Sequence, residues 1–200
     1  MSTRDLDTRT RILMAALEAF ETRGYHEVGL EQIGKAAGLS RQSVYVHFGS
    51  KAQLVTDLVA WVEERERLGD LLSGVFEATT GREALLRLID VHAVFEKKIE
   101  RMAIVIDHGR GTAPELQDLY ADRMGRRYQG MRAILAWVKS DGDLASGWTI
   151  DTATALVWTL TAPPTFRLLT TEQGWTPKKW ATQTKKVISS TLLQADPNAG

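Results

Sequence analysis

Apolar residues recur at three- and four-residue intervals along nearly the whole chain. Ile12, Leu13, Ala16, Leu17 and Phe20 make the first stripe, and Gly24 follows as its terminator. A second, short helix is predicted from about Leu30 to Ala37, with Ile33 and Ala36/Ala37 facing inward and Gly38 placed for a left-handed ending. Ser40 is positioned to cap a third helix over Arg41–His47. Ser50 starts a fourth, with Gln53 completing a capping box and Leu54, Leu58, Trp61 and Val62 on one stripe.

Beyond Gly81 the units lengthen. Thr80-Gly-Arg-Glu83 reads as a capping box leading into Leu85, Leu88, Ile89, His92, Phe95 and Ile99. Thr112-Ala-Pro-Glu115 repeats that logic, with proline where its missing N–H costs little, and opens a helix reaching about Lys139 before Ser140-Asp-Gly-Asp. Asp151 is placed to cap a helix through about Leu169, interrupted at Pro163-Pro164, and Thr176-Pro177 opens a last one ending near Leu193. The pattern predicts an all-α chain of about nine helices, with no alternation that argues for a strand.

All five prolines (114, 163, 164, 177, 197) lie beyond residue 112, and no Pro/Ser-rich linker follows the first three helices. The fourth helix is therefore expected to join a domain over 6–52 to a larger one over 53–195. No internal repeat is evident, and Ala195–Gly200 reads as a frayed tail.

Composition narrows the function classes. A chain 44% hydrophobic and 25% charged is ordinary for a soluble globular protein. It has no cysteine, which fits a reducing compartment. The start, MSTRDLDTRTR, has no apolar core of a signal peptide, and stretches such as Ala103 to Ile106 are too short for a bilayer, so a cytoplasmic location is expected. Formal net charge is zero, so DNA affinity would depend on local placement of cations. Catalysis finds no constellation to carry it: no glycine-rich phosphate loop, no His-Glu-x-x-His, and histidines (26, 47, 92, 108) without metal-ligand spacing. Neither an enzyme nor a cofactor or metal is expected. Glu63-Glu64 and Glu96 with Glu100 read as solvated helix faces, and His108 beside Asp107 as a polar pair at a helix end.

The stretch AGLSRQSVYVHFGSK, residues 37–51, carries the candidate chemistry. Two short helices joined by a glycine turn and packed on a longer one form a helix-turn-helix, here about 29–48. Its second helix can enter the major groove and present its N-terminal side chains to base edges. Arg41 suits guanine O6/N7 and Gln42 adenine N6/N7, while Ser43 can meet a base or a thymine methyl. Tyr45 and His47 are better placed for phosphates, as is Lys51 together with local backbone N–H groups. Val44 and Phe48 would anchor the helix to its own core. An ordinary αα-hairpin with a solvated polar face, or an all-helical protein-interaction module, fits the periodicity equally, though not this clustering of polar side chains.

The same stretch carries a family resemblance. Ile12-Leu13…Ala16…Phe20, Gly24-Tyr25, Ile33-Gly34…Ala37-Gly38-Leu39-Ser40 and Tyr45-Val46-His47-Phe48-Gly49-Ser50-Lys51…Leu54 resemble, densely and in register, the N-terminal pattern of the tetracycline-repressor (TetR) family of transcriptional regulators. By motif the likeness covers about a quarter of the chain; the rest is similar only in helical layout. Gly29 departs from the usual Thr or Ser cap, and Gln42 from a usual small residue, which suggests an individual operator preference.

The resemblance implies DNA contacts at Arg41, Gln42, Ser43, Tyr45, His47 and Lys51. It also implies a homodimer through helices at about 151–169 and 177–193, with stripes Ala155, Leu156, Trp158, Thr159, Ala162, Phe166 and Trp180, Val187, Ile188, Thr191, Leu192 that suit an interface or a core equally. Two reading helices about 34 Å apart then match a near-palindromic double-stranded operator. An effector pocket would lie in the middle of the chain, and its small-molecule occupant would favour a conformer in which the fourth helix swings and the operator is released. Candidate lining residues are Trp61, His92, Phe95, Tyr120, Tyr128, Met131, Trp137 and Trp158, each of which also suits a core; His92 reads first as a hydrogen-bonded core histidine. The six tryptophans point to an apolar or aromatic effector. The resemblance thus implies a ligand-responsive repressor.

Overall fold

Asp7 fixes where the first helix begins: its carboxylate accepts the Thr10 N–H at 2.9 Å, and α1 runs over Thr8–Arg23. The computed structural model describes residues 7–195. Residue 6, the expected start of the first domain, and residues 196–200 of the expected tail lie outside them, as do the first six residues of the charged start. Next come α2 (Leu30–Ala36), α3 (Arg41–Phe48), α4 (Lys51–Arg65) and α5 (Leu68–Phe76). Then follow α6 (Gly81–Gly109), α7 (Pro114–Ser140), α8 (Ile150–Leu160), α9 (Pro163–Arg167), a π-helical turn (Leu168–Glu172) and α10 (Pro177–Leu192). The chain is all-α, with one isolated bridge, Leu144 to Leu193, among the described residues.

The described residues form ten α-helices where about nine are expected. The unforeseen one, α5, does carry helical spacing in Leu68, Leu71, Leu72 and Val75, but it follows α4 with no side-chain cap to mark its start; it buries only Val75 and leaves Phe76 78% exposed. It starts from Arg67 in the left-handed region at φ 57°, a strained place for a residue with a Cβ. The other difference is at the prolines. Helix α8 is capped by Thr149, which accepts the Thr152 N–H at 3.1 Å, rather than by Asp151, which pairs with Arg132 at 3.0 Å. It stops at Leu160, and Pro163-Pro164 open a separate helix, where proline's fixed φ suits the first turn.

Three expected capping boxes close differently. Gln53 donates its backbone N–H to Ser50 at 3.0 Å, but its side chain turns to Asp57. Glu83 accepts from the N–H and hydroxyl of Thr79 instead of Thr80. Glu115 accepts the Tyr25 hydroxyl at 2.6 Å, and Thr112 meets His26.

The chain divides into two compact units. One runs to Glu66 and resumes over Ile99–Asp122; the other holds Arg67–Lys98 and the residues from Arg123 onward. In the first, Ile12, Leu13, Phe20, Ile33, Val44, Phe48, Leu54 and Leu58 share a core with Met102, Val105, Ile106 and Leu116. In the second, Leu85, Ile89, Leu135, Val138, Val157, Phe166, Trp180 and Ile188 form the core, with Phe166 edge-on to Trp180 at 5.1 Å. There α6 starts directly on the last turn of α7. A Cβ on Gly81 would lie 2.3 Å from Val138 N and 2.7 Å from Trp137 C, and the Gly81 N–H donates to Asp141 at 2.7 Å. Beside it Arg82 grips both carboxylate oxygens of Asp143, at 3.1 and 2.9 Å, and holds that carboxyl below the usual carboxylate range.

Candidate nucleic-acid interface

Helix α3 is held from one side. Val44 and Phe48 are four residues apart, one helical turn, and lie 0% and 4% exposed in the core of the N-terminal unit. Burying each side chain stabilises the helix position by about 1.5–3 kcal/mol. Arg9 adds its guanidinium over the Phe48 ring at 4.8 Å and pairs with Asp57 at 2.8 Å.

The turn into α3 is equally specified. Ala37, Gly38 and Leu39 return their N–H groups to Ile33, Lys35 and Gly34 at 2.9, 3.1 and 2.8 Å, and Gly38 takes φ +69°. Gly34 lets the turn close: a Cβ there would approach the Leu39 carbonyl oxygen to 3.0 Å. Ser40 then accepts the Ser43 N–H at 3.1 Å, and Gly49 ends the helix at φ +70°. At the start of α2 Gly29 supplies no side chain, but Gln32 reaches back to its N–H at 3.0 Å, so half of the missing cap is restored.

What this anchoring leaves outside is the face opposite Val44 and Phe48. Arg41, Gln42, Tyr45 and His47 are exposed and Ser43 is half-buried with its hydroxyl 3.1 Å from that of Ser40. Val46 was not among the expected contacts, yet at 73% exposure it stands one turn from Gln42. The four-residue spacing from Gln42 is the signal that marks it, and its methyls suit a thymine methyl.

Lys51 does not join that face. Its ammonium donates to the Tyr25 carbonyl and lies 3.8 Å from the centre of the Tyr25 ring. Burial holds it below the usual lysine range, against the pull of the Glu115 carboxylate. Burial also raises the Tyr25 phenol, helped by its hydrogen bond to Glu115, while that bond lowers the Glu115 carboxyl.

Residues 12–58 match the model of the bacterial regulatory proteins of the tetR family. The N-terminal domain is a TetR-family domain. Over 101 residues the chain is 32% identical to the HTH-type transcriptional regulator LmrA of Bacillus subtilis, covering 49% of this chain and 54% of LmrA. The chain thus spans about half the length of the curated relatives it matches. The whole fold recurs in the crystal structure of NalD, described as the secondary repressor of the MexAB-OprM multidrug efflux pump in Pseudomonas aeruginosa. That match has TM-score 0.74 at 22% identity and covers 98% of this chain and 100% of NalD. A regulator from Saccharomonospora viridis, solved in complex with choline, aligns with TM-score 0.75 at 19% identity over 93% and 97% of the two chains. At these identities the solved structures speak for the fold. No described helix of the chain is long and apolar enough to cross a membrane.

The eight expected pocket residues are not gathered in one unit. Trp61 and Tyr120 are half-buried on the core of the N-terminal unit, under the guanidinium groups of Arg65 (5.1 Å) and Arg110 (4.3 Å). The other six belong to the second unit. His92, Phe95 and Met131 are buried, and Tyr128, Trp137 and Trp158 half-buried. Tyr128 meets Trp158 edge-on at 6.5 Å, and Trp158 donates to the Met124 carbonyl at 3.4 Å.

Three polar expectations are corrected here. Glu96 is 5% exposed, facing His92 rather than solvent. His92 Nδ1 lies 3.7 Å from Glu96, beyond hydrogen-bond length, and Nε2 has no hydrogen-bond partner among the described residues. Asp107 pairs with Arg110, at 3.1 Å, in place of His108.

Burial lowers the His92 pKa, Arg127 pushes the same way, and Glu96 opposes both. A folded pKa below the ordinary 6.5 means the unfolded chain takes up the proton first, so stability present above pH 6.5 is lost progressively as pH falls below it. Replacing His92 by glutamine is expected to flatten the fall of thermal midpoint between about pH 6.5 and 5, read by scanning calorimetry. An unchanged slope would remove His92 from the acid response.

Proposed function

We propose that the protein is a ligand-responsive, DNA-binding transcriptional regulator: a homodimeric repressor that leaves a near-palindromic operator when a small-molecule effector binds. The observation that carries the reading is α3 itself, clamped by Val44 and Phe48 with Arg41, Gln42 and Tyr45 turned outward, inside the segment that matches the family model. Arg41, Gln42 and Ser43 read base edges, and Tyr45 and His47 hold phosphates. Lys51 reaches phosphate only by leaving the Tyr25 carbonyl; otherwise its part is to brace the start of α4. Residues 6–52 do the reading and 53–195 hold the effector and the partner copy. Catalysis has no part in this function, and the protein works in the cytoplasm.

The effector is an apolar or aromatic molecule held in the second unit, where Tyr128 meets Trp158 edge-on and where Phe95 and His92 are buried. It acts by preferring the conformer that fits the operator poorly, so operator and effector weaken each other's binding by one common factor.

Dimerisation uses the outward side of α8 and α10. Phe166, Trp180, Ile188 and Leu192 are spent in the core of the unit. Ala155, Thr159, Val187 and Thr191 remain outside, with Val187 47% exposed. Val187→Asp, which places a charge twice across a two-fold interface, is expected to convert the dimer to monomer in sedimentation velocity with helicity unchanged. A dimer that survives the substitution would move the interface elsewhere.

Selection of bound duplexes from a random pool, followed by a salt titration of the winner, tests the central reading. A near-palindrome whose affinity falls steeply with salt is expected. If no sequence is enriched at any salt concentration, with or without candidate effectors, the reading is overturned.

A further inference from the structure

The N-terminal unit carries a groove that DNA reading does not use. It has a volume of about 690 Å³ and is lined from α1, the end of α2, the end of α4 and Arg101 of α6. Concave sites for small molecules fall in the range of roughly 300–1,000 Å³. Its apolar wall includes Trp61 and Met14, the latter 39% exposed to solvent. Its charged groups are Arg11, Arg65 and Arg101 against the single acid Glu18. Beyond the lining, Glu66 stands 4.0 Å from Arg65 and Glu21 pairs with Arg101, so what favours an anion here is the guanidinium N–H edges turned to an apolar wall rather than net charge.

We propose that this groove binds small amphipathic anions: a flat apolar body carrying one carboxylate or sulfonate. The arginines are already positioned. Arg65 lies over the Trp61 ring at 5.1 Å from its centre, Arg101 is fixed by Glu21 from outside the groove, and Arg11 donates to the Ala37 carbonyl at 2.6 Å. A guanidinium has five N–H donors, more than these bonds use, and its planar fork matches an oxyanion in two-point contact. An aromatic anion satisfies both sides of such a wall, stacking on indole and guanidinium planes while its charge meets the N–H edges. A neutral ring system would leave the cations desolvated without compensation.

The groove also touches the reading head. Ala37 is the C-terminal cap of α2, and the Arg11 Nη2 atom lies 3.3 Å from where a Cβ on Gly38 would stand. An anion that draws Arg11 toward itself releases the tie between α1 and the turn that aims α3. This consequence, unlike the site, rests on the reading of α3 as the DNA contact, and it acts within one unit, apart from the effector region proposed above.

The probe is 1-anilinonaphthalene-8-sulfonate, titrated into the full chain and followed by its fluorescence, with N-phenyl-1-naphthylamine as the same ring system without charge. The sulfonate is expected to bind at least about tenfold more tightly than the neutral amine, the gain of a charge-assisted contact. Arg65→Gln is expected to weaken it about tenfold, and the Trp61→Leu/Arg65→Gln pair to abolish the groove-site signal, with circular dichroism unchanged. Sulfonate binding that ignores both variants, or equal affinity for the neutral amine, overturns the site. Anisotropy with the selected duplex separates the two readings. Variant-sensitive sulfonate binding in a protein that selects no duplex leaves the groove standing and removes the DNA function. Duplex binding with variant-insensitive sulfonate does the reverse. If the sulfonate fills the groove and duplex affinity does not move, the link through Arg11 is overturned and the site stands.

Discussion

Arg41→Ala is expected to weaken binding to the selected duplex by roughly 30-fold to 10⁴-fold. A bidentate side chain on a base pair discriminates by about 1–3 kcal/mol, and a two-fold dimer presents each substitution twice, giving roughly 2–6 kcal/mol in all. Folding should be indifferent, because Arg41 is exposed at the first position of α3 and the anchors are Val44 and Phe48. The comparison that matters is between the selected duplex and a scrambled one, by anisotropy at a single salt concentration. A base contact costs affinity on the selected sequence and little on the scrambled one. Equal loss on both would make Arg41 a phosphate contact, and its role in sequence reading would pass to Gln42 and Val46.

Gly81→Val should be the most damaging small substitution in the second unit. The atoms that a Cβ would strike are backbone, Val138 N at 2.3 Å and Trp137 C at 2.7 Å, so no rotamer change relieves the clash. The start of α6 must lift from the last turn of α7, losing the bond from Gly81 N–H to Asp141. Overpacking costs about 1–3 kcal/mol and a lost hydrogen bond about 1 kcal/mol, together about 2–4 kcal/mol. For a chain of this size that is a fall of roughly 5–15 °C in thermal midpoint. Gly125→Ala is the matched control: it lies inside α7 with nothing within 4 Å of its Cβ position, so helix propensity alone acts and stability should rise by up to about 1 kcal/mol. A Gly81→Val midpoint within 2 °C of the parent would mean that the two helices part at no cost.

Which features were legible follows from how local their causes are. The cap of Ser40, the left-handed Gly38 and the Val44/Phe48 pair each depend on residues a few positions apart, and the sequence states them directly. The three capping boxes had the right residues, but Glu83, Gln53 and Glu115 found other partners, one of them the Tyr25 hydroxyl ninety positions away. Helix α5 had a legible period in Leu68, Leu71, Leu72 and Val75; what hid it is its start, at a left-handed Arg67 that offers no side-chain cap directly after α4. The apolar stripes of α8 and α10 could not reveal which residues turn to the core; only the fold separates Trp180 and Ile188 from Val187. Similarly, Lys51 reads as a free cation until the Tyr25 carbonyl is seen to occupy it.

The N-terminal unit is discontinuous, built from the chain up to Glu66 and again from Ile99–Asp122. Met102, Val105, Ile106 and Leu116 fill the core that steadies α1 and α4. A fragment ending at Glu66 would therefore be a head without its own floor, and is expected to melt well below the full chain. Regulators are often pictured as interchangeable parts, with one reading head moved from body to body through a single junction. In this chain a graft would need three cuts, and a head transplanted with one would have to find in its new host substitutes for five buried side chains, Ala113 with the four named, from a segment it left behind.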